Sequence, residues 1–126
     1  MPAEHVERAR VAWFDTDAGG RIHHTAAFRW AEAAETSLMR KAGVLRGSGD
    51  YPCRKVEAAF IKVLVFEDEI EVRLRVEALG RTSITYAWEI AKDGEPYVVG
   101  RHTVVRVDRD GRPEPVPDEI RQKLAG

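Results

Sequence analysis

The chain has 126 residues, of which 44% are hydrophobic and 33% are charged, and its formal net charge is only −1. This length fits one domain over residues 1–126 that buries a core without disulfides or a structural metal. The small net charge does not indicate a nucleic-acid-binding surface, and the single cysteine, Cys53, excludes an intrachain disulfide and a cysteine-pair zinc site. The first ten residues lack the apolar core of a signal peptide, and no apolar run approaches the ~20 residues of a membrane span, so we expect a soluble cytoplasmic domain.

The first two predicted elements are a strand over residues 6–14 and a long helix over residues 25–42. Arg29, Thr36 and Arg40 lie on the polar side of this helix, and Gly43 is a natural stop. The residues that recur at the i, i+3, i+4, i+7 spacing of one apolar face are Ala27, Trp30, Ala31, Ala34 and Leu38. Because three of them are alanines, we expect the helix to lie close to a curved sheet.

The rest of the chain is predicted to form strands. Apolar and charged residues alternate over 70–77, which is typical of a sheet with one solvated face, and a turn over 79–82 precedes the next strand. Asp93-Gly94 indicates a second hairpin, and a short helix is expected to begin near Asp118. The predicted strands are residues 56–65, 70–76, 84–90 and 97–107. The order of one strand, a long helix and four antiparallel strands predicts an α+β fold with the helix on one face of the sheet.

Polar residues are concentrated between the first strand and the helix, in the stretch DTDAGGRIHH over residues 15–24. Asp and Gly are common in turns, and acidic residues are favoured at helix N-termini, so a structural explanation is available. The functional alternative is that unpaired N–H groups at residues 24–26 face a developing negative charge, with the carboxylate of Asp17 beside them. Carbonyl chemistry needs that pair of features.

Metal binding is a third interpretation, because Asp15, Asp17, His23 and His24 are all possible ligands. Adjacent histidines on an extended segment point to opposite faces, so it is awkward for both to bind one ion. We therefore expect no metal at this cluster.

The stretch DTDAGGRIHHTAAFRWAEAAE resembles the signature of the hotdog-fold acyl-CoA thioesterases of the 4-hydroxybenzoyl-CoA thioesterase-like branch. In that family an Asp-x-Asp-x-x-Gly turn leads through a His or Tyr into the central helix, which carries a further acidic residue. The segments FIKVLVFEDEI and RPEPVPDEI also resemble the family, so the similarity spans nearly the whole chain. The resemblance implies a hotdog fold, in which a curved antiparallel sheet wraps a long central helix.

The resemblance also implies roles for individual residues. Asp17 would be the catalytic carboxylate and Asp15 a turn residue. Gly20 would let the backbone pass close to the acyl group, and the N–H groups around His24 would polarise the thioester oxygen. For the His24 side chain, packing or hydrogen bonding at the helix start is the alternative to contact with substrate. Glu32 matches the helix acid of the family, although a lone Glu on a helix is often only solvated.

Two positions depart from the family pattern. Ala27 stands where many relatives carry Tyr, and Val63 where many carry Pro. Loss of the Tyr would enlarge the acyl pocket, so we expect an aryl or medium-chain acyl group rather than acetyl. The aromatic residues that would line the pocket, unless they are ordinary core, are Phe28, Trp30, Phe60 and Trp88.

A thioester is already activated, so the expected enzyme mainly stabilises an oxyanion and delivers water or a nucleophile. Asp17 would either attack the carbonyl or deprotonate a water, and both routes stay open. No metal or organic cofactor is implied, since coenzyme A enters only as part of the substrate, and an acyl carrier protein bears the same pantetheine arm. The basic residues that would meet coenzyme A phosphates, unless they are merely solvated, are Lys62, Arg81, Arg101 and Arg106.

Two other functions are compatible with the fold that the resemblance implies. One is a protein that binds an acyl thioester without cleaving it, against which the retained Asp17 argues. The other is a hydratase of enoyl thioesters, whose different Asp and His motif is absent from the sequence. The resemblance further implies a homodimer or homotetramer with active sites between subunits, and pairing would also remove the exposed sheet edge of a short chain.

Overall fold

In the computed structural model, which describes residues 2–44 and 49–125, a five-stranded antiparallel sheet packs against one long helix. The elements in chain order are β1 (Glu4–Arg10), a 3-10 turn (Trp13–Asp15), α1 (His24–Lys41), β2 (Cys53–Phe60), β3 (Glu69–Leu79), β4 (Ser83–Lys92), β5 (Glu95–Val105) and α2 (Asp118–Ala125). The strand order in the sheet is β1-β3-β4-β5-β2, so β1 and β2 are its two edges. The predicted α+β class and the order of the elements are confirmed.

The predicted helix is confirmed to within one residue at each end. Four of its apolar positions, Ala27, Ala31, Ala34 and Leu38, are buried in the core against the sheet. Trp30 is only partly buried. The alanines permit the close packing that the sequence predicted, because a side chain of one carbon adds little to the distance between helix and sheet.

The first strand ends earlier than predicted. The chain leaves the sheet after Arg10 and forms the single 3-10 turn, in which the Asp15 carboxylate accepts a hydrogen bond from the Ala12 N–H at 2.8 Å. Trp13 and Phe14 are exposed as a result. The sequence pattern did not reveal this end, because aromatic residues are common in strands.

The strand predicted over residues 56–65 is shifted, since β2 ends at Phe60. The N–H groups of Ile61 and Lys62 both donate to the Tyr97 oxygen, and the chain then leaves the sheet. Over residues 61–66 only Leu64 is buried. An apolar segment that looked like a core strand is therefore mostly a surface segment in this chain.

The hairpins of β3, β4 and β5 follow the prediction closely. The apolar residues of β3 face the core in strict alternation with its charged residues. Asp93 and Gly94 both have positive φ, 52° and 80°, which is the conformation of a two-residue turn whose twist matches the strands. The last strand begins at Glu95 and ends at Val105, two residues earlier at each end than predicted.

Asp68 closes the turn that leads into β3. Its carboxylate accepts hydrogen bonds from the Val65 N–H and from Lys92, both at 2.9 Å. Burial acts to raise the pKa of Asp68, but the hydrogen bonds from Lys92 and Val65, together with the Lys92 charge, outweigh it and lower that pKa. The ionised carboxylate therefore stabilises this turn.

We expect Asp68→Asn to lower the free energy of unfolding at neutral pH by about 1–3 kcal/mol, the usual loss for hydrogen bonds to a charged group. Because the pKa of Asp68 is lower in the folded chain, its contribution is complete above the unfolded pKa of about 3.9 and is lost as the pH falls through the folded pKa. Urea unfolding at decreasing pH should therefore show the wild type and the variant converging. The exposed Asp110, changed to Asn, serves as the control and should change little at any pH. A pH-independent difference for Asp68→Asn would contradict this assignment.

Candidate active site

The stretch between β1 and α1 folds into a tight turn. Thr16 and Ile22 pair as an isolated antiparallel bridge, and inside it the Asp17 N–H donates to the Arg21 oxygen at 2.6 Å. Gly20 has φ +83°, the left-handed region that glycine adopts without strain. This geometry explains the adjacent glycines of the sequence as turn residues.

Asp17 is exposed in this turn, and backbone N–H groups hold its carboxylate. The Oδ1 atom accepts hydrogen bonds from the Gly19 N–H at 2.8 Å and from the Arg21 N–H at 3.3 Å. The Oδ2 atom takes part in neither bond. The turn thus fixes the orientation of a carboxylate and leaves one of its oxygens for another partner.

The turn rests on the segment that follows β2. Arg21 forms an antiparallel bridge with Val65, and the Ile22 N–H donates to the Leu64 oxygen at 3.0 Å. The exposed apolar residues of that segment therefore lie beside the turn that carries Asp17.

The surroundings of Gly20 within the chain are open. A Cβ built at Gly20 would meet nothing within 4 Å. The glycine is therefore required by its positive φ and not by close approach to another part of this chain. The space beside it is open, and the predicted approach of an acyl group to this backbone stays a prediction.

Asp15 differs from Asp17 in its burial and in its pairing with an arginine. It is only 3% exposed, and its backbone oxygen accepts a hydrogen bond from the His23 N–H at 2.7 Å. Its side chain bonds the Ala12 N–H through Oδ2 and the Arg29 guanidinium through Oδ1, the latter at 3.0 Å. These contacts fit the structural role predicted for Asp15.

Arg29 is a residue whose role the sequence analysis missed. It was placed on the solvated side of the helix, but its guanidinium bonds Asp15 and lies 5.5 Å from the centre of the Phe14 ring. It therefore ties the first turns of α1 to the chain that precedes Asp17. No pattern in the sequence links residues 15 and 29, because their separation reflects the path of the loop and not a helical or strand period.

The N-terminus of α1 is capped by a histidine. The Thr25 N–H donates to Nδ1 of His23 at 3.3 Å, and the Ala26 N–H donates to the His23 oxygen at 2.9 Å. The N–H of His24, the residue between the cap His23 and Thr25, takes part in none of these bonds. The first N–H groups of a helix have no partner inside the helix, so this one is available to an external acceptor.

The two histidines do not point apart as the sequence analysis expected. Their rings stack with centroids 4.4 Å apart, because His23 is the extended cap residue and His24 is the first helical residue. The premise of the argument against a shared metal is therefore wrong. Within residues 2–44 and 49–125, however, no group of three or more His, Cys, Asp or Glu side chains is arranged to hold a metal ion.

Two further predicted residues lie along α1. Glu32 is exposed about 12 Å along the helix axis from His24, and no contact joins it to the turn of Asp17. Its site role stays a prediction. Phe28 is one turn from His24 on the same face, and Trp30 lies about 160° around the helix from Phe28, so Trp30 does not share a pocket wall with it.

The four basic residues proposed for coenzyme A phosphates are not brought together. Lys62 lies beside Tyr97 at the start of β5. Arg81 lies beyond the other end of that strand, where its backbone oxygen accepts a hydrogen bond from the Val116 N–H. At about 3.3 Å per strand residue, the two basic residues are about 25 Å apart. The Lys62 ammonium pairs with the Glu95 carboxylate, whose hydrogen bond and charge raise the pKa of Lys62.

Arg101 and Arg106 are engaged elsewhere. Arg101 bonds Glu77 at 3.0 Å on the exposed face of the sheet. Arg106 bonds Glu114 at 2.9 Å and the Tyr51 hydroxyl at 3.0 Å. A single phosphate site built from all four candidates is therefore ruled out within one chain.

An apolar surface surrounds the turn of Asp17 and the edge strand β2. Trp13 and Phe66 contact each other edge to face with ring centroids 5.4 Å apart. The exposed apolar residues that make up this surface, called here the apolar margin, are Trp13, Phe14, Val56, Phe60, Ile61, Val63, Val65 and Phe66. Exposed apolar residues concentrated in this way mark an interaction site.

Neither α1 nor α2, the two α-helices in the described part of the chain, is long and apolar enough to cross a membrane.

A curved five-stranded antiparallel sheet packed on one long helix is the hotdog fold, and the solved structures similar to this chain share it. The sequence model of the thioesterase-like superfamily matches residues 11–124, and the chain belongs to that superfamily. The family resemblance and the predicted hotdog fold are both confirmed.

Solved structures similar to this chain come from several bacteria. A hypothetical protein from Aquifex aeolicus is 27% identical with a TM-score of 0.88, covering 94% of this chain and 98% of its own. A predicted thioesterase from Bacillus stearothermophilus is 27% identical with a TM-score of 0.87, covering 97% and 94%. A thioesterase from Thermus thermophilus, complexed with coenzyme A and zinc, is 23% identical with a TM-score of 0.88, covering 97% and 98%, a likeness that establishes the fold alone.

Proposed function

We propose that this protein hydrolyses acyl-CoA thioesters, with Asp17 as the catalytic carboxylate and the N-terminus of α1 as the oxyanion site. The observation that carries the proposal is the pairing of an exposed carboxylate, fixed by two backbone N–H groups, with a turn that ends at a helix whose His24 N–H lacks a partner among the bonds described above. A hydrogen-bond donor aimed at a developing oxyanion is worth about 10²–10³-fold in kcat. The membership of the thioesterase-like superfamily supports this reaction class.

Asp17 acts by one of two routes in this proposal. As a nucleophile, its free oxygen attacks the thioester carbon, the carbon–sulfur bond breaks, coenzyme A leaves as the thiolate, and water hydrolyses the resulting anhydride. As a general base, it takes a proton from a water molecule whose oxygen attacks the same carbon, and the tetrahedral intermediate then collapses with cleavage of the carbon–sulfur bond, so that coenzyme A leaves as the thiolate and the acid is released. In both routes the negative charge on the carbonyl oxygen is stabilised by the His24 N–H and not by those of Thr25 and Ala26, which donate to His23, and no cofactor is required.

The thiol in this proposal is coenzyme A, and the Thermus thermophilus structure with coenzyme A bound supports that assignment. An acyl carrier protein is the alternative donor of the same pantetheine arm.

The proposed acyl group is aryl or medium-chain, although the pocket expected from the Ala27 departure is not open. Ala27 has no exposed surface and packs in the core, so the missing Tyr leaves no open pocket there. The remaining support is Phe28 on the face of His24 and the exposed Phe60.

Assays with a panel of acyl-CoAs and a thiol reagent test the proposal. We expect release of free thiol, with a higher kcat/KM for benzoyl- or hexanoyl-CoA than for acetyl-CoA. Loss of an enoyl double bond without thiol release would indicate a hydratase. Binding without either reaction would indicate a non-catalytic acyl-thioester binding protein, and either result would overturn the proposed hydrolysis.

We propose further that two copies of the chain pair through β2 and its apolar margin, and that dimers associate into tetramers. The sheet edge at β2 offers unpaired backbone groups, and the apolar margin continues from it to the turn of Asp17. Covering both with a second copy would remove the free edge and exclude water from the site. Light scattering at micromolar concentration should give the mass of a dimer or tetramer, and a monomeric mass would contradict the proposal.

A further inference from the structure

Three buried polar side chains form a chain of hydrogen bonds between α1 and the sheet. Trp88 on β4 donates from its indole N–H to Nδ1 of His102 on β5 at 3.1 Å. Nε2 of His102 is 2.8 Å from the Glu35 carboxylate on α1. Trp88 is 3% exposed and His102 is 6% exposed, and the Glu35 side chain is largely buried as well. The Tyr86 hydroxyl on β4 also donates to the Met39 sulfur on α1 at 3.8 Å, but among the bonds described for residues 2–44 and 49–125 only the Glu35–His102–Trp88 contacts join a charged helix residue to β4 and β5.

The two hydrogen bonds that link Trp88, His102 and Glu35 have only one consistent donor-to-acceptor direction. An indole N–H is a donor only, so Nδ1 of His102 must accept. The neutral imidazole then carries its proton on Nε2 and donates it to Glu35. Each group is satisfied in this arrangement, and breaking one bond would leave a buried polar group unpaired. The orientation of the Trp88 indole is thereby fixed.

The indole of Trp88 is held on both sides. A Cβ built at Gly100 would come within 2.5 Å of two atoms at the tip of the indole, so the ring lies directly against the bare backbone of β5. Phe28 contacts Trp88 edge to face, with ring centroids 6.2 Å apart. Gly100 is therefore the space into which the indole fits.

Phe28, which contacts Trp88, lies one helical turn from the proposed oxyanion site, and Glu35 lies about 16 Å along the helix axis from it. Phe28 follows His24 by four residues and Glu35 follows it by eleven, so both lie within about 40° of His24 around the helix. An acyl group whose carbonyl oxygen meets the His24 N–H would run along this face over Phe28. Because Phe28 contacts Trp88, the indole would be the side chain behind Phe28 on that path.

We propose that Trp88, oriented by His102 and Glu35, closes the inner end of the acyl site and sets the length of acyl chain that is accepted. This inference rests on the proposed thioester hydrolysis. His102 and Glu35 are positioning residues that act through the indole. Gly100 sets how far the indole can withdraw from Phe28.

The test is the ratio of kcat/KM for decanoyl-CoA to that for butanoyl-CoA. Trp88→Phe removes one ring and opens the inner end of the acyl site. We expect the ratio to rise at least tenfold, because room for one or two more methylenes in an apolar pocket changes kcat/KM by about that factor. Gly100→Ala pushes the indole toward Phe28, and we expect the ratio to fall in the variant that stays folded, since its Cβ would also come within 2.6 Å of the Glu57 backbone oxygen on β2 and cost stability. Trp30→Phe is the matched control on the other side of the helix and should leave the ratio unchanged.

The positioning role has its own pair of variants. His102→Leu removes both hydrogen bonds and should raise the ratio in the same sense as Trp88→Phe. His102→Gln keeps one acceptor and one donor and should restore most of the wild-type ratio. A residue that only stabilised the fold would lower kcat/KM for both substrates alike and leave their ratio unchanged.

The outcomes separate the two proposals. If the wild type cleaves acyl-CoAs but Gly100→Ala and His102→Leu both keep its ratio, the inference about Trp88 is overturned and the proposed hydrolysis stands. If the wild type cleaves no member of the panel, both fail together. Thermal unfolding of each variant identifies those that are folded, and should Trp88→Phe be unstable, the Gly100 and His102 variants decide the question.

Discussion

Asp17→Asn should lower kcat by about 10²–10⁴-fold, the contribution of a positioned proton-transfer or nucleophilic group. The fold should survive, because the Asn oxygen can still accept the hydrogen bonds from Gly19 and Arg21 that hold the turn. KM should change little if binding is carried by other residues. Residual activity should remain from the His24 N–H of the helix. Steady-state assays with the best substrate of the panel, alongside thermal unfolding, measure both effects.

Asp15→Asn is the matched control, two residues away. This change removes the charge that pairs with Arg29 inside the chain, so we expect the main loss in stability and a much smaller change in kcat for the folded fraction. The pair shares any general effect of local charge, which makes the comparison specific. Near-normal turnover in Asp17→Asn with abolished turnover in folded Asp15→Asn would mean that Asp15, and not Asp17, is the catalytic acid. Near-normal turnover in both would end the catalytic interpretation of this turn.

Val56→Glu should convert the protein into monomers and lower kcat/KM at least a hundredfold. Val56 lies in the apolar margin on the edge strand β2 and is 43% exposed, so an ionised side chain fits the free monomer but not a covered interface. Burying an unpaired carboxylate costs several kcal/mol. The free energy that favours a dimer over its monomers at micromolar protein concentration is only a few kcal/mol, so we expect the dimer to dissociate. Light scattering measures the change in mass, and the thioesterase assay measures the change in kcat/KM.

Val6→Glu provides the matched control for that change. Val6 is 53% exposed on β1, the opposite edge of the sheet, where charged residues already surround it. The same substitution there should leave mass and activity unaltered. If Val56→Glu kept the wild-type mass, β2 would not be the interface. If it became monomeric yet fully active, the site would be complete within one chain.

The sequence predicted the features of this fold that depend on local periodicity. The alternation of β3 and the helical spacing from Ala27 to Leu38 report burial directly, and the Asp93-Gly94 turn requires a backbone that few other residues adopt. The end of β1 was missed because Trp13 and Phe14 suit a strand, and only the bonds of Asp15 show that the chain turns there.

The long-range contacts could not be predicted from one sequence. Asp15 and Arg29 meet across a loop, and Glu35 meets His102 from 67 positions away, with no spacing rule to relate them. Asp17 was singled out first as the carboxylate beside the helix N-terminus and then through family resemblance; the structure shows it exposed in the turn, and its catalytic role stays a prediction. The apolar run after β2 misled the strand prediction, because an exposed apolar segment has the same composition as a core strand.

The two edges of the sheet differ in a way that limits how far the protein can polymerise. Along β1 three of the four outward side chains, Glu4, Arg8 and Arg10, are charged, with Arg10 bound to Glu69 and Arg8 near Glu71, whereas β2 exposes Val56 and Phe60 beside its own charged residues. Joining through β2 uses the same surface on both copies, so the contact is isologous and closes after two chains. The ribbon of strands then ends at a charged β1 on either side, which disfavours addition of a further strand. A sheet with two apolar edges would have no such stop and could grow into fibres.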